Sequence, residues 1–262
     1  MKCPAVGDHE IILGDSRKML ACVPENSVDL VVTSPPYFNA RDYSQWATYD
    51  AYLNDMRTIV RGSKAALKEG QFMVVDIAPV IIPREKRQDT SKRIPLHFHF
   101  GKILEDEGFD FYDDITWEKP VESVGNKRAN AFGKHGTPMG FRPYPTNEHI
   151  LVYRKHSDKP IDVNIRSKSP EARASSKVTD MTELGETWHI HPAHNKDHPA
   201  VFPDELASRV IKLYSYKGDR VLDPFLGSGT TCVVAKKEGR RCIGIEKKKE
   251  YHDLSMRRVE NA

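Results

Sequence analysis

Short apolar runs alternate with amphipathic stretches along the chain, and each run closes in a small, acidic or proline residue. Glu10–Leu13 ends at Gly14-Asp15-Ser16 and predicts a strand followed by a helix through Leu20. Val28–Thr33 is apolar enough for a buried parallel strand and stops abruptly at Ser34-Pro35-Pro36-Tyr37. Asp50–Leu67 spaces Tyr52, Met56, Ile59 and Val60 on one helical face. Phe72–Ile77, Asp114–Lys119 and Glu148–Tyr153 read as further strands, Leu96–Glu107 as a helix, and the proline-bounded segment 79–95 as a loop. Pro203 suits the first position of a helix with Asp204 and Glu205 in its first turn and Leu206, Val210 and Leu213 on its buried face. Near the end come a strand at Val221-Leu222, a glycine turn, a small apolar helix from Thr231 to Ala235, and a strand at Cys242–Ile245. Strands alternating with helices predict an α/β fold with a mostly parallel sheet.

The chemistry concentrates where strands end. In Asp223-Pro224-Phe225-Leu226-Gly227-Ser228-Gly229-Thr230 the two glycines tolerate positive φ and let a ligand approach the backbone, while Thr230 or Thr231 can cap the next helix. Glu246, closing the following strand, could accept hydrogen bonds from ribose hydroxyls. Such a turn can equally be a structural helix–strand junction. It lacks the Gly-Lys-Ser/Thr of a P-loop and the third glycine of a dinucleotide fingerprint, so a mononucleoside-type ligand fits best. Asp15 ends another strand and could line the same crevice, or simply cap its own helix.

At Ser34-Pro35-Pro36-Tyr37 two prolines hold the backbone extended and withhold two N–H donors. A hydroxyl, a free carbonyl and an aromatic ring are presented together. These parts suit a planar base carrying an exocyclic amine, although a strand-ending turn with a packed tyrosine would use the same residues.

Composition sets outer limits. The 262 residues suit one sizeable domain, and no apolar run approaches the roughly eighteen residues of a membrane span. With no apolar segment after Met1-Lys2-Cys3-Pro4, a cytoplasmic protein is expected. Cys3, Cys22, Cys232 and Cys242 are scattered and suggest neither a disulfide framework nor a zinc site. His189, His191, His194 and His198 lack a partner set at metal spacing, so no metal is expected, and His97 and His99 read as ordinary surface or core residues. Net charge is only +3, but residues 119–177 hold twelve Lys/Arg against five Asp/Glu, interleaved with Phe132, Phe141, Tyr144 and Tyr153. That stretch is either a solvated face or a nucleic-acid surface.

The pair of motifs, Thr33-Ser34-Pro35-Pro36-Tyr37 and Asp223–Thr231, resembles the amino-methylating DNA methyltransferases that use S-adenosylmethionine. With the catalytic motif first, the order resembles their permuted β group, and Ser-Pro-Pro-Tyr is more typical of cytosine-N4 restriction-modification enzymes than of adenine-N6 enzymes. The resemblance implies a Rossmann-like fold with a seven-stranded, mostly parallel sheet flanked by helices, as a single domain over 1–262 with a basic target-recognition insertion at about 120–187. It implies that Ser34, Pro35, Pro36 and Tyr37 handle the flipped base. It places the cofactor against Asp15, Thr33, Pro203, Asp223, Pro224, Phe225, Gly227, Ser228, Gly229, Thr230 and Glu246, with Asp15 on the adenine amine and Asp223 facing the amino group. Trp117-x-Lys119 resembles a strand end bordering the base pocket. Lys119, Lys127, Arg128, Lys134 and Arg142 are the expected DNA contacts, and the loop 125–144 is expected to order on DNA. Duplex DNA is the implied partner, a cognate restriction endonuclease acting separately is a further one, and the protein is expected to be a monomer or homodimer. Adenine-N6 methylation, an RNA substrate and a non-catalytic DNA-binding module are the rival readings. A cytosine-C5 mechanism would need a nucleophilic cysteine after a proline, and no cysteine here follows one.

Overall fold

A computed structural model describes residues 7–39, 45–82, 92–123, 145–179, 184–193 and 203–262. Its core is an eight-stranded sheet. The strands are β1 (His9–Leu13), β2 (Val28–Thr33), β3 (Leu67–Ile77), β6 (Phe109–Glu118), β7 (Asn147–Lys155), β8 (Thr187–His189), β9 (Arg220–Asp223) and β10 (Arg241–Glu246), in the spatial order β1-β10-β9-β2-β3-β7-β6-β8. Only β7 runs against the others. The sheet has one strand more than expected: Thr187–His189 is too short to show a period, but pairs in parallel with the end of β6. The expected loop at 79–95 holds a small hairpin instead, β4 (Val80–Ile82) with β5 (Lys92–Ile94).

Side chains alternate along the strands and feed two cores, because both sheet faces are covered. On one face Val31, Met73, Val75 and Leu222 pack with α2 (Tyr49–Ala66) and α3 (Leu96–Asp106), which follow the short α1 (Ser16–Met19). α2 starts at Thr48, whose side chain accepts from Ala51 N, and buries Tyr52, Met56, Ile59 and Val60 as the spacing required. On the other face Leu30, Val32, Val74 and Val221 meet α6 (Asp204–Tyr214) and α7 (Thr230–Lys237). Pro203 precedes α6 by one position and acts as its N-cap. The last helix, α8 (Lys249–Glu260), has no counterpart among the expected elements; it buries only Ser255 and Val259, too little to make a period.

β2 is the switch point of the sheet. The connection from β2 runs through α2 on one face towards β3, while that from β9 runs through α7 on the other face towards β10. The crevice beyond the ends of β2 and β9 is where such sheets bind ligands.

Two expectations change. Cys232 of α7 and Cys242 of β10 are fully buried neighbours joined in a disulfide, although nothing in their spacing suggests it. The expected insertion is also divided: after β7 the chain forms two short helices, α4 (Ile161–Arg166) and α5 (Pro170–Ser175), which are tied to the opposite end of the sheet from the crevice. Asn164 Nδ2 donates to Glu69 O, and Lys168 Nζ bridges the buried Asp29 (2.8 Å) and Asp219 at the starts of β2 and β9. Burial opposes ionisation of Asp29, but Lys168 and Lys68 together hold its carboxyl below the ordinary range. Among the described residues no helix is long and apolar enough to cross a membrane.

Candidate active site

The ends of β1, β10, β9, β2, β3 and β6 lie at one edge of the sheet, together with the start of β7. Asp15, Glu246, Asp223, Ser34, Asp76, Lys119 and Glu148 therefore gather there from distant points in sequence. Leu13 pairs with Glu246 and Gly14 N donates to Glu246 O at 2.8 Å, which sets Asp15 beside the acid as the strand endings suggest. Asp15 also caps α1, accepting from Arg17 N at 3.0 Å, and its bond to the Arg17 guanidinium holds its carboxyl below the usual range.

The glycine turn is fastened from within. Glu246 Oε2 accepts from Gly227 N (2.9 Å) and Oε1 from Lys248 N (2.7 Å), and burial pushes this carboxyl up. Gly229 has φ +92° and lies against α8, where a Cβ would stand 2.8 Å from that of Ser255. A Cβ on Gly244 would stand 2.3 Å from Leu226, so this glycine of β10 lets the turn seat its apolar side chain. Pro224 O accepts from the Ser16 hydroxyl, and the Ser228 carbonyl accepts from Arg258 Nη1 at 2.7 Å. Phe225 remains partly buried beside the first core.

Asp223 has a different part from the expected one. It is 1% exposed, and its oxygens accept from Thr33 Oγ1 (2.7 Å), Phe225 N (2.9 Å) and Thr231 Oγ1 (2.6 Å). Burial nevertheless pushes its pKa to about 6. With these donors in place the carboxylate braces the turn against β2 and α7, where the resemblance has it facing an amino group.

Beyond β2 the Ser34–Tyr37 turn meets a second group of polar residues. Tyr37 Oη donates to Glu148 Oε2 at 2.7 Å, and Lys119 Nζ donates to Glu148 Oε1 while lying 4.4 Å from the centre of the Trp117 ring. Asp76, 6% exposed at the end of β3, has the Ser34 hydroxyl and the Glu148 carboxylate within hydrogen-bonding reach, while its Oδ1 has no partner among the described residues. Burial, reinforced by the charge of Glu148, lifts the Asp76 carboxyl well above its ordinary range. Tyr37 is raised likewise, first by burial and then by Glu148.

Sequence reasoning missed Asp76 and Glu148. The signal was available: each is an acid at the site end of a buried strand, as are Asp223 and Glu246. Lys119 lies within this cluster, paired rather than presented to solvent. Pro203 is buried at the start of α6. Lys127, Arg128, Lys134 and Arg142 fall outside the described residues, as do His194 and His198; His189 pairs with Glu118 at 3.1 Å. His97, read as ordinary, stacks on His149 with ring centres 4.3 Å apart.

Known proteins share this arrangement. A family model described as DNA methylase matches residues 28–257. The chain is 31% identical to the type II beta methyltransferase M.BslI of Bacillus sp. (strain NEB-606), over 97% of its own length but only 28% of that protein. It is 27% identical to the type II methyltransferase M.BglI of Bacillus subtilis, over 94% of this chain and 84% of that one. Among solved structures, the DNA modification methylase TTHA0409 of Thermus thermophilus, complexed with S-adenosyl-L-methionine, superposes with a TM-score of 0.75 at 30% identity, covering 97% and 93% of the two chains. PvuII DNA methyltransferase (cytosine-N4-specific) shares the fold with a TM-score of 0.71 at 23% identity, over 97% and 87%. With the switch-point crevice, its glycine turn and the family match spanning most of the sheet, the chain belongs to the DNA methylase family.

Proposed function

We propose that this DNA methyltransferase, whose cofactor is S-adenosyl-L-methionine, methylates the exocyclic N4 amine of cytosine in duplex DNA. The observation that carries the reading is the position of Ser34: it leaves β2 directly after Thr33, whose hydroxyl is bonded to Asp223 of the glycine turn. The base turn and the cofactor turn thus meet across one strand junction.

The donor set suits a nucleoside cofactor. Glu246 is a strand-end carboxylate with its backbone partners fixed, next to a glycine turn and the partly buried Phe225 ring. Glu246, Phe225 and the 227–229 backbone would hold it, with Asp15 and Pro203 at the borders. When bound, S-adenosyl-L-methionine supplies an electrophilic methyl group on a sulfonium. Pro35 and Pro36 offer carbonyls without competing N–H donors, so the Pro35 carbonyl and Ser34 Oγ accept the two amine hydrogens. That directs the nitrogen lone pair outward and stabilises positive charge developing on nitrogen, which then gives up a proton. Tyr37 stacks on the base, offsetting part of the few kcal/mol that flipping costs.

Cytosine is favoured because Ser34 stands where the adenine-type motif carries aspartate. The basic segment between Lys119 and β7 is the proposed DNA contact, and a cognate restriction endonuclease acting separately belongs to the same reading. Incubation with mixed-sequence duplex DNA and methyl-labelled S-adenosyl-L-methionine, then digestion and mass spectrometry of the nucleosides, tests it. N4-methylcytosine is expected. N6-methyladenine would overturn the base assignment, and no labelled nucleoside would overturn the activity.

A further inference from the structure

Among the described residues, Glu148 is the group at the sheet edge that touches both walls of the base pocket. Its Oε2 accepts from Tyr37, which follows β2, and its Oε1 accepts from Lys119, which follows β6. It also faces the carboxyl of Asp76 on β3. Glu148 opens β7, which lies between β3 and β6 in the sheet, so its side chain sits where these three connections converge. These bonds are not needed to form the sheet: the β6–β7 ladder continues on both sides through backbone pairs from Phe109–Lys155 to Glu118–Asn147. The side chain joins parts of the pocket that the backbone leaves separate.

Resting on the base-pocket reading above, we propose that Glu148 is a positioning residue for methyl transfer, holding the Tyr37 ring by its hydroxyl and the Lys119 ammonium against the opposite wall. A ring that must stack on an incoming base loses catalytic geometry if it swings by even about 1 Å, and an anchored hydroxyl removes that freedom. The groups facing Glu148 are Tyr37 and Ser34 from the β2 turn, Asp76 from β3 and Lys119 from β6; Tyr52 of α2 lies behind Tyr37. Replacing the carboxylate by an amide removes a like charge from beside Asp76 and leaves Lys119 unneutralised. Both changes favour ionised Asp76, so any limb of the pH–rate profile governed by this cluster moves to lower pH.

The test is single-turnover methylation of mixed-sequence duplex DNA at saturating cofactor, across pH, with cofactor affinity measured by calorimetry. Glu148→Ala should slow the step at least tenfold with cofactor Kd unchanged within twofold. Glu148→Gln, which keeps one acceptor, should lose less rate and show the limb displaced to lower pH, a change that a purely structural residue would not cause. A wild-type rate in Glu148→Ala would overturn the proposal; if that variant does not fold, a wild-type rate and profile in Glu148→Gln would do so. Ser34→Ala separates the two readings. If it is inactive while the Glu148 variants behave as wild type, only the role of Glu148 fails; if it is itself fully active, the base-pocket reading fails.

Discussion

The Thr33 hydroxyl donates to the Asp223 carboxylate at 2.7 Å, joining the end of the base-side strand β2 to the start of the cofactor turn. Thr33→Val keeps the shape and removes the donor. Leaving the buried carboxylate one donor short should cost about 1–3 kcal/mol in urea unfolding and weaken S-adenosyl-L-methionine binding. Unchanged stability and affinity would mean that the bond does not brace the turn.

Asp223 also sets a pH dependence. Burial raises its pKa from 3.8 to about 6, so the folded state holds this proton more tightly than the unfolded chain. The stability it contributes is present below pH 3.8 and is lost as pH rises through about 6, a change of about 3 kcal/mol. Asp223→Asn cannot ionise, so its unfolding free energy should fall less than the wild type's between pH 4 and pH 7. Parallel curves would exclude Asp223 as the source.

Gly244 is required by its neighbour more than by its own backbone. In Gly244→Ala the added methyl would meet Leu226 at 2.3 Å and push the glycine turn out of place. Cofactor Kd should rise at least tenfold by calorimetry. Adding Leu226→Ala should recover part of that loss, since the clash is with that side chain; a double variant no better than the single one would show another cause.

Lys168 belongs to the basic stretch but serves the scaffold. Lys168→Met removes the bridge between the buried Asp29 and Asp219, and an uncompensated buried charge typically costs about 3–5 kcal/mol. Lys68 still reaches Asp29 at 2.7 Å, which places the expectation at the lower end. Unfolding should shift accordingly, while DNA affinity of the folded protein stays unchanged. A fall in DNA affinity with no loss of stability would reverse the assignment.

The main strands and helices were legible because their apolar residues keep period: Val28–Thr33 is continuously buried, and Tyr49–Ala66 presents one face. The glycine turn and the Ser34–Tyr37 turn were legible because glycine and proline fix backbone geometry locally. Three things were not. β8 and α8 bury too few side chains to leave a pattern, and take their place from pairing and packing alone. Asp76 and Glu148 become one cluster only when β7 pairs between β3 and β6, a long-range event. Asp223 reads the same in sequence whether its carboxylate is open or saturated; only the positions of Thr33 and Thr231 decide it.

The place of β2 in the sheet divides the labour of the molecule. β1, β10 and β9 lie on one side of it and carry the nucleoside-facing residues, while β3, β7 and β6 lie on the other and carry the base-facing cluster. The two halves communicate through the short contact at Thr33. A change in which base is accepted can thus be introduced by altering Asp76, Lys119 or Glu148 without disturbing the fit to the methyl donor, so one half of the sheet can diversify while the other stays constant.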